Sequence, residues 1–259
     1  MKNIAIIISF SMLLVMGSFS SVGVRNYQVK RVVIDAGHGG KDPGTSGSIS
    51  KEKDVALSIA LELGSIINEK LPEVEVVYTR KGDTYPTLDE RANLANKKNA
   101  DLFISIHCNS NPNTKVFGSE TYVMGNHVSD DNLKVAQREN SVILREDNYE
   151  ETYDGFDPNS PESYILFSLY QSAYQQNSVK LAQNIQYQFK NRVNRKSRGV
   201  KSAGFLVLWR TTMPSVLVEV GFLSNIKEEK ELNDKLNQVY IASGIFRAFR
   251  DYKEELEIN

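Results

Sequence analysis

The strongest constraint on this chain is a series of short apolar runs, each stopping at a turn and each separated from the next by a helical pattern. Arg31-Val32-Val33-Ile34-Asp35 is β-branched and apolar, and it opens at once into Gly37, Gly39 and Gly40. Runs of this length bounded by turn residues read as buried strands. Val74–Thr79, Leu102–Ile106, Phe117–Met124, Gly204–Leu208 and Ser215–Val220 supply five more. Leu102–Ile106 is apolar almost throughout, the pattern of a strand covered on both faces. Between them, a helix starting near Lys51 carries Val55, Ile59, Leu63 and Ile66 on one face. Leu88–Lys98 turns Leu88, Ala92 and Ala95 inward, and a last helix runs from about Lys227 to Tyr252. Strands alternating with helices predict a single α/β domain with a largely parallel, twisted sheet flanked by helices.

The 259 residues suit one domain of medium size. Lysine and arginine number 31 against 32 acids, which argues against a nucleic-acid binder. The one cysteine rules out an internal disulfide. At the N-terminus, Lys2 precedes the apolar run Ile4–Met16, and small residues follow from Gly17 to Gly23. This is the layout of a secretory signal peptide over residues 1–23, with the mature chain starting near Val22–Tyr27. The alternative is a permanent membrane anchor, but the run is short for a span. The expected destination is the periplasm or cell surface of a bacterium, with no membrane span in the mature form.

Residues 125–177 differ in character, with ten acids against three bases. Asp154-Gly155 and Asp157-Pro158-Asn159-Ser160-Pro161 interrupt the segment. It reads as a helix, an irregular loop and a second long helix from about Pro161 to Asn191, a helical insertion on the α/β frame.

Histidine is scarce, and two of the three fall at strand ends: His38 in the first glycine loop and His107 directly after the third strand. Open α/β sheets bind ligands outside the carboxyl ends of their strands, so the two side chains can converge. Glu52, at the first turn of the next helix, is also the acid that a helix dipole favours there. Its loop nevertheless returns above the same sheet edge, and two histidines with one glutamate form a zinc set that leaves a position for water. Glu219 interrupts Val216-Leu217-Val218 and Val220, and a lone acid in such a run is costly unless paired or functional. It suits a general base beside zinc-bound water; the plainer reading is an ion pair with Arg80 or Arg91. The glycine loop is a poor nucleotide motif, because Asp42 stands where the last glycine of G-x-G-x-x-G belongs.

Val33-Ile34-Asp35-Ala36-Gly37-His38-Gly39-Gly40-Lys41-Asp42-Pro43-Gly44 resembles the opening of the zinc-dependent N-acetylmuramoyl-L-alanine amidases. Three further blocks look similar and follow in order: Tyr78-Thr79-Arg80 with Asp83, Leu88 and Arg91-Ala92-Asn93; Ala100–Asn109; and Pro214–Asn225. Cys108 stands where alanine is usual. The resemblance implies a mixed sheet, a catalytic domain over 28–252, one zinc ion held by His38, Glu52 and His107, and catalysis by Glu219. The substrate it implies is peptidoglycan, cut between the lactyl group of N-acetylmuramic acid and L-alanine of the stem peptide.

Amidases of this family that act in cell division carry an inhibitory helix at the place of the 125–177 segment. Glu139 has Val135, Ala136, Val142 and Ile143 as its helical neighbours at three and four positions, so its carboxylate sits on an apolar face. A buried acid needs a cation, and an open zinc position supplies one. Glu139 is therefore expected to cap the zinc until a LytM-like activator moves the helix; the alternative is a surface glutamate bridging to Arg138 or Arg145. Two other functions share the metal set: a zinc peptidase acting within the stem peptide, and an inactive wall-binding regulator.

Overall fold

Val32, Val33 and Ile34 are β-branched and have no exposed surface, and they lie in β1 (Arg31–Ala36), one strand in from the edge of a six-stranded sheet. The computed structural model describes residues 28–127, 129–168 and 174–258. The signal-peptide reading of residues 1–23 lies outside them.

The other strands are β2 (Glu75–Tyr78), β3 (Leu102–Asn109), β4 (Ser119–Met124), β5 (Ser197–Ala203) and β6 (Ser215–Phe222). Their order is β2-β1-β3-β6-β4-β5. Every neighbouring pair is parallel except β4 and β6, so the sheet is mixed and mostly parallel. The central strands β3 and β6 are buried at all their positions, as parallel strands covered on both faces must be.

Strand alternation sends Val32, Ile34, Leu102, Ile104, Val216 and Val218 to one face. There they pack under α1 (Glu52–Lys70), α6 (Gln175–Asn191) and α9 (Lys235–Ile258), through side chains such as Ile59, Leu63, Ile185, Phe189, Ile245 and Phe249. Val33, Phe103, Tyr122 and Leu217 point the other way. That face is covered by α2 (Leu88–Lys97), α3 (Asp130–Asn140) and the short helices α4 (Tyr149–Thr152), α5 (Pro161–Ser168) and α7 (Leu206–Trp209). A one-turn 3-10 segment, Ser141–Arg145, continues α3. Thr87 and Glu90 start α2 with reciprocal side-chain to backbone bonds.

Three sequence readings change. Gly204–Leu208 is not a strand: Leu206–Trp209 is helical, and the fifth strand is the preceding Ser197–Ala203. A short apolar run has no periodicity that separates strand from buried helix. The true strand was hidden because it lies at the sheet edge and is polar and half-buried. The C-terminal helix is two, α8 (Ile226–Asn233) and α9, parted at Asp234. The stretch read as one helix from Pro161 to Asn191 contains α5 and α6, and residues 169–173 between them lie outside the described residues. Among the described residues no helix is long and apolar enough to cross a membrane.

Candidate active site

The chain leaves β1 through Gly37, whose neighbour is the imidazole of His107; a Cβ there would lie 2.5 Å from that ring. His38 follows in the left-handed region at φ 59°, which non-glycine residues rarely adopt and which aims its side chain back over the sheet edge. Its Nδ1 lies 2.6 Å from Asp42 Oδ2, a bond that fixes the ring and leaves Nε2 facing the site. Gly44 allows the loop to close, because a Cβ at its φ of +66° would stand 2.6 Å from both Glu52 and His38. Glu52 then opens α1 fully buried. Its Oε2 accepts from Thr45 N at 2.8 Å, and its Oε1 accepts from Cys108 N at 2.8 Å.

His38, Glu52, His107 and Glu139 meet in one buried group whose ligand-type atoms all lie within 4.8 Å of one another. Glu52 Oε1 is 3.1 Å from His38 Nε2 and 3.0 Å from His107 Nδ1. Glu139 Oε2 is 3.1 Å from each of the same two nitrogens. His38 Nε2 and Glu139 Oε2 are buried yet have no hydrogen-bond partner, although they stand close together. That is the arrangement of donors converging on a shared cation. Two imidazoles and two carboxylates are a zinc-type donor set, and a tetrahedron with bonds of about 2.0 Å has edges of about 3.3 Å. The residues fit the metal that the sequence resemblance implies.

The electrostatics agree. Burial opposes a charge on either imidazole, yet the surrounding carboxylates prevail: Glu52, Asp42 and Glu139 raise His38 well above the ordinary histidine value, and Glu139 with Glu52 pushes His107 up to about 9. Burial likewise opposes ionisation of Glu52 and Glu139, but the imidazoles, and for Glu139 first of all Arg138, hold both below the carboxylate range. A pocket that so favours protons on nitrogen favours a cation in their place.

Glu219 sits on β6 directly beside His107 on β3, paired in register. It has no exposed surface, and neither carboxylate oxygen has a hydrogen-bond partner. Burial and the nearby Glu139 push its pKa well above the ordinary value, against the pull of Arg138. The ion pair with Arg80 or Arg91 does not form. Arg91 pairs with Asp35 at 2.7 Å, and Arg80 bonds the carbonyls of Ala36, Gly37, Gly82 and Lys53. Glu219 instead forms an ion pair with Arg138, 3.6 Å from Oε1.

Glu139 is 5% exposed, so it is not a surface glutamate, though it does contact Arg138. Arg138 also donates to Ser110 O and Asn109 Oδ1, pinning α3 to the loop after β3. Sequence reasoning missed Asp42, weighed only as a misplaced nucleotide-loop residue, and missed Arg138 as a neighbour of Glu219. The i, i+4 spacing of His38 and Asp42 was the available signal for the first; nothing local marked the second.

A sequence profile of the N-acetylmuramoyl-L-alanine amidases matches residues 32–251. AmiA of Escherichia coli K12 is 34% identical over 224 residues, covering 85% of this chain and 75% of AmiA. The N-acetylmuramoyl-L-alanine amidase of Clostridium difficile 630 superposes with a TM-score of 0.65 at 29% identity, over 88% of this chain and 98% of that one. The catalytic domain of CwlV, from Bacillus (Paenibacillus) polymyxa var. colistinus, gives 0.63 at 31% identity, over 87% and 98%. Sequence, fold and the buried histidine–glutamate group agree, and the chain belongs to the N-acetylmuramoyl-L-alanine amidase family.

Proposed function

We propose that the chain is an exported peptidoglycan hydrolase that cuts the amide between the lactyl group of N-acetylmuramic acid and L-alanine of the stem peptide. His38, Glu52 and His107 hold the zinc ion, and Glu219 is the catalytic acid–base. The observation that carries this reading is Glu219: a fully buried carboxylate with no hydrogen bond to either oxygen, in register with a histidine of a metal-capable group. A protein that only binds cell wall gains nothing from so costly a group.

Zinc at this site supplies a water of lowered pKa and a positive charge toward the amide carbonyl. Asp42 holds His38 in the tautomer whose Nε2 faces the centre. Glu219 accepts the proton of the attacking water on a carboxylate oxygen and delivers it to the departing alanine nitrogen. Val142, Val207 and Leu217 line the closed side of the site and exclude bulk water there.

The segment 125–177 is the regulatory insertion of a cell-division type of amidase. Glu139 would exclude the substrate carbonyl from the metal, and its support is its position 3.1 Å from both histidine nitrogens, with Arg138 beside Glu219. Helix α3 is held down by Val135 and Ala136 in the core, and the 3-10 segment after it by Ile143. Asn140 adds bonds to Gly204 O and from Leu206 N. A LytM-like activator that lifts α3 withdraws both residues together.

Digestion of purified sacculi tests the activity. Stem peptides beginning with free L-alanine support the amidase; shortened peptides still attached to muramic acid support a stem-peptide peptidase, and no digestion with wall binding retained supports a regulator. Glu139→Ala is expected to raise basal digestion. Unchanged or lower activity in a folded, zinc-loaded variant counts against the lid.

A further inference from the structure

A cleft of about 410 Å³ reaches Glu120, the cross-strand partner of Glu219, and is walled by the end of β3, the strands β4 and β5, and α3. Its charges are unequal: Lys134, Arg138, Arg198 and Lys201 line it with only Glu120 and Asp131. This excess of cations stands on a chain of formal charge −1.

Glu120 explains why two of the cations share one place. It is 2% exposed, and its Oε1 accepts from Arg198 Nε and from Lys201 Nζ, each at 2.6 Å. Its Oε2 accepts from Asn109 Nδ2 at 3.0 Å and from the Tyr122 hydroxyl at 2.8 Å. Four bonds fill the acceptor capacity of a carboxylate, so one negative charge is set against two positive ones. Arg198 lies over the Phe222 ring at 5.4 Å and Lys201 over the Tyr122 ring at 5.7 Å. Both side chains are therefore positioned before any ligand arrives, which lowers the entropy lost on binding. Glu120 and Glu219 are partners across β4 and β6, so the cationic cleft begins next to the catalytic carboxylate.

A second cleft of about 350 Å³, reaching His38, is lined by the hydroxyls of Thr45, Ser46 and Ser141, and its two cations, Arg138 and Arg145, are matched by Asp42 and Glu139, with Asp42 and Arg145 3.6 Å apart. The two halves of the substrate differ in the same way. The muramoyl side presents hydroxyl and acetamido groups, and the stem peptide presents carboxylates.

We propose that the Arg198–Lys201 cleft is a peptide subsite that binds a carboxylate of the stem peptide beyond L-alanine. This rests on the amidase reading and deepens it, because it sets the direction of the substrate: the leaving amine faces Glu219 and the muramoyl group faces the hydroxyl-lined cleft. Both cations stand on β5, outside the α3 insertion, so they and Glu120 stay in place when that helix moves, while the α3 wall with Lys134 and Arg138 leaves.

Calorimetric titration of the protein with the tripeptide L-Ala-γ-D-Glu-L-Lys, and with the same peptide amidated at both carboxylates, tests the subsite without turnover. The free acid is expected to bind about tenfold tighter or more, the effect of a hydrogen bond to a charged group. Added salt is expected to shrink the difference. Arg198→Gln and Lys201→Gln each leave Glu120 a donor, and each is expected to reduce the preference. Equal binding of the two peptides, or a preference that survives in both folded variants, overturns the proposal. A parallel digestion compares muramoyl-L-Ala-D-Glu with muramoyl-L-Ala-D-isoglutamine, and a lower KM for the free acid supports the subsite. Cleavage of neither sinks the amidase reading alone, and the titration still decides the subsite.

Discussion

Two carboxylates with no exposed surface stand near the C-terminal ends of strands in this sheet, and they are treated in opposite ways. Asp35 on β1 is fully answered: Arg91 Nη1 donates at 2.7 Å, and the Thr79 and Ser105 hydroxyls donate at 2.6 Å each. Burial works against its charge, but Arg91 and the two hydroxyls outweigh it and hold its pKa below the ordinary 3.8. Glu219 on β6 has no hydrogen bond to either oxygen and is pushed up instead. The first acid fastens structure, since Arg91 also ties down the carbonyls of Ala36 and His38 at the mouth of the glycine loop. The second is kept unsatisfied at the expense of stability. A buried acid is thus informative through its partners rather than its burial.

The same acid-to-amide substitution should act in opposite directions at the two sites. Glu219→Gln is expected to cut turnover on muramoyl peptides by about 10²–10⁴-fold, the usual worth of a positioned proton-transfer group. Its thermal midpoint should hold or rise, because an uncharged amide replaces a carboxyl whose charge is opposed by burial and which has no hydrogen bond. A variant that keeps full turnover would remove Glu219 from the chemistry. Asp35→Asn is expected to lower stability by about 3–5 kcal/mol, the cost of leaving Arg91 as an uncompensated buried charge, as read by urea unfolding. A loss below 1 kcal/mol would erase the distinction between the two acids.

Smaller effects sharpen the contrast. Chelation should abolish activity reversibly and lower the melting temperature by about 5–10 °C, with the sheet retained in circular dichroism. Zinc that restores neither activity nor melting would argue against a metal at the four-residue group. Because the Asp35 carboxyl is depressed, its stabilisation is whole above pH 3.8 and is lost as acid carries the pH down through the lowered value. The stability gap between the protein and Asp35→Asn should therefore close in acid, below pH 3.8. A gap that stays constant there would show that the pair is not what separates the two proteins.

Much of the site was legible before the structure. His38, Glu52, His107 and Glu219 each carry a sequence signal: a histidine at a strand end, an acid at the helix start that closes the loop begun at His38, or an acid inside an apolar run. Glu139 was legible from its four apolar helical neighbours, three of which, Val135, Ala136 and Ile143, join the core. What escaped reading depends on partners distant in sequence. Asp42 gains meaning only when the loop folds His38 onto it. Arg138 meets Asn109 and Ser110 only because α3 lies across the end of β3. The edge strand Ser197–Ala203 was missed because its pairing with β4, rather than its composition, makes it a strand.

Strand runs, helix faces and the glycine loop are properties of neighbouring residues, since sterics and hydrophobic periodicity act over a few positions, and so an α/β frame could be read from the chain alone. Which side chains share one point in space is another matter. His107 and Glu52 are 55 positions apart and meet at 3.0 Å. Glu219 comes beside His107 only because β3 and β6 pair in that register. Shifting either strand by one residue would turn its side chains to the opposite face and disperse the group. Long-range sheet register therefore converts four scattered residues into a centre.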